Sequence, residues 1–296
     1  MQTVVEAEGL TKIFGKHFAV DRLGFTVPQG SVVGFLGENG AGKSTTLQML
    51  LGLLRPSAGH SALLGHDSGS LPAELWNRIG YVGEEQGMYS WMTVRQIIRF
   101  TSSFYRNWDK GLADQLLKRL DLPEGAKLRE LSKGQRGKTA LLLALSFHPE
   151  LLILDDPVSG LDPIVRHEFL EQIIELLQEE GRTVIFSSHI LDEVERIADR
   201  VLMVSRGRLR VDQSLDELKN KVKRVTLYYE RSLPPTEIKD AASIRRDRDS
   251  ITAVFTDFSK EKARELRALK PRRMEIESLS LNEMFIEFCS RSGKEA

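Results

Sequence analysis

Apolar and polar positions along the chain set out three different rhythms. The first forty residues carry short apolar runs bounded by turn residues. TVVEAEGLTKIF, FAVDRLGFTV and SVVGFLG read as strands, with PQG at residues 28–30 marking a turn. A helix is predicted from Lys43 to about Leu54, ended by RPSAG. From about Leu71 to Leu145 the pattern turns mostly helical. Within it, Leu112, Leu116, Leu117 and Leu120 of DKGLADQLLKRL share one helical face. Alternation follows. LLILDD reads as a strand, IVRHEFLEQIIELLQEEG as a helix closed by Gly181, TVIFSSH as a strand, ILDEVERIADR as a helix and VLMVSRGRL as a strand. Strands separated by single helices argue for an α/β core, a parallel sheet with helices on its faces. The charged run LDELKNKVKR looks like a boundary, which gives a first domain over residues 1–219. Beyond it VTLYYE, ITAVFTDF and RRMEIESL read as strands, and SKEKARELRAL and NEMFIEFCSR as helices. They form a small α+β appendage over residues 220–296.

Composition narrows the class without naming a function. A chain of 296 residues with 41% hydrophobic content is long enough for one large domain and a small one. Its formal net charge of +0 gives no global pull toward nucleic acid. The basic clusters RRDR and KPRR lack interleaved aromatics and read as a solvated face. A single cysteine, Cys289, excludes an intrachain disulfide and fits a reducing compartment. The N-terminus has neither a basic region nor an apolar core of the secretory kind. TALLLALSF, residues 139–147, falls far short of the roughly 20 residues that span a bilayer.

The chemistry begins at GENGAGKST, residues 37–45, which matches G-x-x-x-x-G-K-[ST] between an apolar strand and a helix. Gly37, Glu38, Asn39, Gly40, Ala41, Gly42 and Thr45 would wrap an anion with backbone N–H groups, helped by the partial positive charge of the helix start. Lys43 would reach the β- and γ-phosphates, and the Ser44 hydroxyl would ligate Mg²⁺. That phosphate–metal centre explains why LLILDD ends on adjacent carboxylates. Asp155, at the end of a later parallel strand, is placed to hold Mg²⁺ beside the Ser44 hydroxyl. LSKGQRGK, residues 131–138, supplies a second phosphate-binding device: a hydroxyl and free N–H groups at a helix start, with no second P-loop to serve. A two-fold dimer, in which each copy's LSKGQ closes over the ATP of the other, is the economical arrangement. Read alone, LSKGQ is also an ordinary N-capped helix.

With these motifs in this order, the sequence resembles the nucleotide-binding subunits of ATP-binding-cassette (ABC) transporters, over about residues 4–218. It looks most like bacterial subunits that serve separately encoded permeases, most of them exporters. The resemblance implies a P-loop NTPase core, an N-terminal antiparallel β subdomain and a helical subdomain over about residues 85–145. It implies ATP and Mg²⁺ as ligands. It also implies a head-to-tail dimer with a second copy or a homologous ATPase subunit, and an integral membrane permease as partner. No nucleic acid is expected, and the location would be cytoplasmic, peripheral on the inner face of the membrane. By the same resemblance Ser132, Gly134 and Gln135 contact the partner's ATP, VSGLD touches the opposite subunit and His189 contacts the γ-phosphate. Phe14 sits where the family places an aromatic that stacks on adenine, although a core phenylalanine is the competing reading.

Two positions depart from the commonest family pattern. Glu84 stands where a mobile loop usually carries Gln, so it would meet Mg²⁺ or water while adding negative charge. Asp156 stands where most members carry the Glu that polarises the attacking water, and its reach is shorter by about 1–1.5 Å. Catalytic roles therefore fall to Asp156, His189, Lys43 and Glu84, and metal ligation to Ser44, Asp155 and Glu84. Two other readings stay open: a soluble ABC ATPase of translation, repair or assembly, and an ATP sensor that hydrolyses slowly. Because every phosphate-contacting motif precedes Arg200, a chain ending near Lys219 is expected to keep ATP binding. Leu281, Met284, Phe285, Phe288 and Cys289 share a helical face and are expected to serve as core or dimer contact.

Overall fold

Two long strands, β1 (Thr3–Phe14) and β2 (His17–Pro28), pair antiparallel around a tight turn, and β3 (Val32–Leu36) leads directly to the glycine-rich loop. These come from a computed structural model that describes residues 2–85, 87–157, 166, 182–230 and 238–290. β4 (Ala58–Leu63) and β5 (His66–Asp67) complete a four-stranded antiparallel sheet in the order β2-β1-β4-β5. β6 (Ile79–Val82), β7 (Leu151–Asp155), β8 (Thr183–Ser188), β9 (Arg200–Ser205) and β10 (Arg208–Ser214) join β3 in a second sheet, ordered β10-β9-β3-β8-β7-β6. Every pairing in it is parallel except β10 with β9.

Strands β3, β7, β8 and β9 of this second sheet are buried on both faces, which is why they read as apolar runs. Leu151 and Ile153 face one core together with Val33, Phe35, Ile185 and the Lys43–Leu50 helix. Leu152 and Leu154 face the other, with Leu36, Val184, Phe186 and the helices Val94–Ser102, Lys110–Arg119 and Lys133–Leu145. Leu116, Leu117 and Leu120 are buried there with Ala113, and Leu112 packs at the margin, as the helical spacing predicts.

Several local expectations are corrected. The stretch expected to be mostly helical from Leu71 contains strand β6. Its four residues are too few to show a period, and pairing with Leu151–Leu154 of β7 decides the outcome. The Lys43 helix stops at Leu50, and Gly52 follows with φ +67°. VLMVSRGRL is two strands, not one. Arg206 (φ +51°) and Gly207 (φ +75°) turn the chain between them, the conformation of a two-residue hairpin loop. The helix expected to end at Gly181 lies outside the described residues, apart from the helical Arg166.

The appendage is a four-stranded antiparallel sheet of β11 (Lys223–Tyr228), β12 (Ser243–Arg246), β13 (Ser250–Phe255) and β14 (Arg273–Ser278), in the order β12-β13-β11-β14. Val225, Leu227, Ile251, Phe255 and Leu266 of the Lys260–Ala268 helix form its own core. The chain then returns to the large unit. Leu281, Met284, Phe285 and Cys289 are buried in the same core as Val194, Val201, Met203 and Val211, so the apolar stripe is core. The Leu281 N–H donates to Glu195 Oε2 at 3.0 Å, and Lys219 Nζ meets Glu195 Oε1 at 2.9 Å. Burial pushes the Cys289 thiol up to about 12, which removes it from thiolate chemistry.

Candidate functional site

Parallel pairing sets the site. Leu36 lies beside Ser188, and Asp155 beside Ser187, so the ends of β3, β7 and β8 open at one level. Open α/β sheets bind ligands at this carboxyl edge. The loop after β3 is forced close to its neighbours. Gly42 has φ +101°, and a Cβ there would stand 2.4 Å from the Ala19 carbonyl oxygen. Only glycine lets β2 and the loop approach so closely.

Lys43 is buried, with Nζ donating to the carbonyls of Gly37 at 2.7 Å and Glu38 at 3.1 Å. Burial pulls its pKa down, opposed by the negative charges of Asp156, Asp155 and Glu84. The Ser44 hydroxyl donates to Asp155 Oδ1 at 3.0 Å, so two of the three expected metal ligands already stand together. Burial pushes the Asp155 carboxyl up; hydrogen bonds from Ser187 and Ser44 work against that shift. Ser187 was missed from sequence. Its hydroxyl donates to Asp155 Oδ1 at 2.7 Å and accepts the Asp156 N–H at 2.9 Å, tying both acids in place. The signal was present in FSSH: two serines in an otherwise apolar strand need partners once buried.

Asp156 adopts φ +45°, a left-handed conformation that Asp tolerates better than most side chains. Its Oδ2 lies 2.8 Å from His189 Nδ1, and its buried Oδ1 has no hydrogen-bond partner among the described residues. Asp156 and His189 share a cavity of about 590 Å³ with Asn39, Gly40, Gly42, Lys43, Ser44, Thr45 and Glu84. His17 and Ala19 line it as well, although neither was expected there.

Other expected residues stand apart from that cavity. Gly37, Glu38 and Ala41 form the loop without lining it, the first two as acceptors for Lys43. Phe14 is 51% exposed at the hairpin end, opposite His17, with the Lys12 ammonium 5.2 Å from its ring centre. Ser132 caps the Lys133–Leu145 helix in a capping box with Gln135: its Oγ accepts the Gln135 N–H at 3.1 Å, and Gln135 Oε1 accepts the Ser132 N–H at 3.0 Å. Gly134 is buried in the first turn. The VSGLD loop lies outside the described residues.

Comparison with known proteins places this arrangement. The family described as ABC transporter matches residues 20–159. The chain is 33% identical over 291 residues to YhaQ of Bacillus subtilis, an uncharacterized ABC transporter ATP-binding protein, covering 94% of this chain and 96% of that one. The chain belongs to the ABC transporter ATP-binding family. This cassette is also 36% identical over 223 residues to the bacitracin transport ATP-binding protein BcrA of Bacillus licheniformis, covering 75% of the cassette and 73% of BcrA. Among solved structures, an ATP-binding subunit of an ABC transporter superposes with a TM-score of 0.65 at 27% identity, covering 74% of the cassette and 92% of that chain. The cassette is thus a transporter ATP-binding subunit and an ATPase, with a P-loop core, an antiparallel β subdomain, a helical subdomain and an α+β appendage.

Proposed function

We propose that this cassette drives an exporter: it binds MgATP, closes on a second copy or a homologous subunit, and moves a separate integral membrane permease between access states. The observation that carries the reading is the convergence of Lys43, the Ser44–Asp155 pair and the Asp156–His189 pair on one sheet edge. A relative named for bacitracin transport supports a transport role, and export is the direction we assign. Among the described residues no helix is long and apolar enough to cross a membrane. We take the pore to be a separate permease chain, with the cassette on the cytoplasmic face beside it.

The residues fit Mg²⁺. Ser44 and Asp155 offer one hydroxyl and one buried carboxylate, and among the described residues no cluster of three acidic, His or Cys ligands competes. Held by Ser44 and Asp155, the ion would neutralise phosphate charge as a Lewis acid. Lys43 exchanges its loop carbonyls for phosphate oxygens. The unpartnered Oδ1 of Asp156 accepts a proton from the attacking water, and His189 holds the other carboxylate oxygen and meets the γ-phosphate. Glu84 opens the loop that follows β6, beside a groove lined by Tyr81, Met88, Tyr105 and Phe147 that we assign to a permease helix. Ser132, Gly134 and Gln135 complete the partner's site, with Phe14 toward the base. We assign residues 1–219 to the ATPase unit and 220–296 to an accessory unit docked on it.

Expression with the neighbouring membrane protein tests this reading. Co-purification with ATPase activity stimulated in the complex is expected; a chain that neither binds ATP nor retains a membrane partner would refute it.

A further inference from the structure

The end of β9 and the turn into β10 press on the glycine-rich loop at two points. A Cβ on Gly37 would stand 2.6 Å from the Val204 carbonyl oxygen of β9. Further along, the Gly207 N–H donates to the Ala41 carbonyl at 3.1 Å, and the Gly207 carbonyl accepts the Asp21 N–H of β2 at 2.8 Å. Gly207 thus bridges β2 to the loop. No side chain fits in the bridge: at φ +75°, a Cβ there would stand 2.8 Å from the Ala19 carbonyl oxygen, the same oxygen that crowds Gly42. Arg208 secures the turn, its guanidinium meeting Asp21 Oδ2 at 2.6 Å. The bridge also fixes a peptide plane. In a trans peptide the C=O and N–H point in opposite directions. The Ala41 carbonyl is held toward Gly207, so the Gly42 N–H of the same unit points away from the turn. Ala41 is buried, whereas Gly42 lines the cavity shared with Lys43 and Ser44.

We infer that Gly207 is a positioning residue for the ATPase: its N–H holds the Ala41 carbonyl so that the Gly42 N–H is aimed at the phosphates, and the Asp21–Arg208 pair keeps the turn in place. A donor aimed in advance needs no reorganisation when the anion arrives. The inference rests on the ATP-site reading above and extends it to a turn that lies outside every phosphate motif.

Calorimetry on the full chain with inorganic tripolyphosphate and with ATP, beside steady-state hydrolysis, tests this. Gly65 supplies the control. In the β4–β5 turn Leu64 and Gly65 have φ of +51° and +80°, close to the +51° and +75° of Arg206 and Gly207, but a Cβ on Gly65 meets nothing within 4 Å. Gly207→Ala and Gly65→Ala therefore carry similar backbone strain, and only the first disturbs the bridge. Gly207→Ala is expected to weaken both ligands by the same factor, about tenfold or more, the scale of one hydrogen bond to a charged group. KM for ATP should rise while kcat stays within about threefold, because the contact is made in ground state and transition state alike. Gly65→Ala, remote from the loop, should leave both affinities within about twofold. If Gly207→Ala does not fold, the Asp21–Arg208 pair decides: Asp21→Ala and Arg208→Ala should each weaken tripolyphosphate about threefold, and the double variant no further. Full tripolyphosphate affinity in folded Gly207→Ala, or an equal loss in Gly65→Ala, overturns the assignment. So does, where the pair decides, unchanged affinity in either single variant. A wild-type chain that binds neither ligand would instead remove the ATP-site reading itself.

Discussion

Removing the Met284 side chain should destabilise the ATPase unit, although Met284 follows the appendage in the chain. Met284 is 0% exposed and sits in a core shared with Val201 and Met203 of β9 and Val194 beside the sheet. Met284→Ala deletes three heavy atoms. At about 0.8 kcal/mol for each methylene-sized group the transfer loss is roughly 2.4 kcal/mol, and a partly relaxed cavity brings it to about 3 kcal/mol. Leu266→Ala is the control, because Leu266 is buried only in the appendage's own core. Urea unfolding followed by circular dichroism, with and without ATP, distinguishes them. Met284→Ala should lower the stability of the transition that ATP shifts, whereas Leu266→Ala should act mainly on the appendage. A loss below about 0.5 kcal/mol for Met284→Ala, or an unmoved ATP-sensitive transition, would refute the reasoning. The same packing revises the expectation for a chain ending near Lys219: it uncovers Leu218, Val201 and Val211, so aggregation is expected to accompany any ATP binding.

Two further outcomes follow from the site and the terminal helix. Ser132→Arg should leave ATP binding by the monomer within about twofold while steady-state hydrolysis falls at least tenfold; the lost cap costs only about 1 kcal/mol. Parallel loss of binding would make Ser132 merely structural. Glu283 accepts hydrogen bonds from the Ser280 N–H and from Arg224, which hold its carboxyl below the ordinary glutamate range. Its contribution is present above that range and lost as pH falls through the lowered value, so the stability gap between wild type and Glu283→Gln should shrink on acidification. A gap independent of pH in urea titrations would contradict this.

The large sheet was legible where its strands are buried on both faces. LLILD and TVIFSS stand out as apolar runs against the amphipathic helices around them. β6 was not, since four residues beside a helical tract carry no period and the strand exists only through pairing with β7. The hairpin at Arg206 and Gly207 was hidden by an apolar run continuous in sequence but reversed in space. Motif spacing placed Lys43, Ser44 and Asp155 correctly relative to one another, because each sits at an element end whose position the sheet dictates. Ser187 and His17 escaped. One looks like ordinary strand filler, and the other reaches the cavity only because β2 folds back over Gly42.

Single-turnover hydrolysis by Asp156→Asn tests the central claim most directly. The amide keeps the size of the side chain and its place beside His189 but cannot take a proton from water at neutral pH. MgATP affinity should stay within about threefold of wild type while the single-turnover rate falls at least 10²-fold, equivalent to about 2.7 kcal/mol added to the barrier. A rate equal to wild type, with binding intact, would contradict the assignment of Asp156 as the group that activates water.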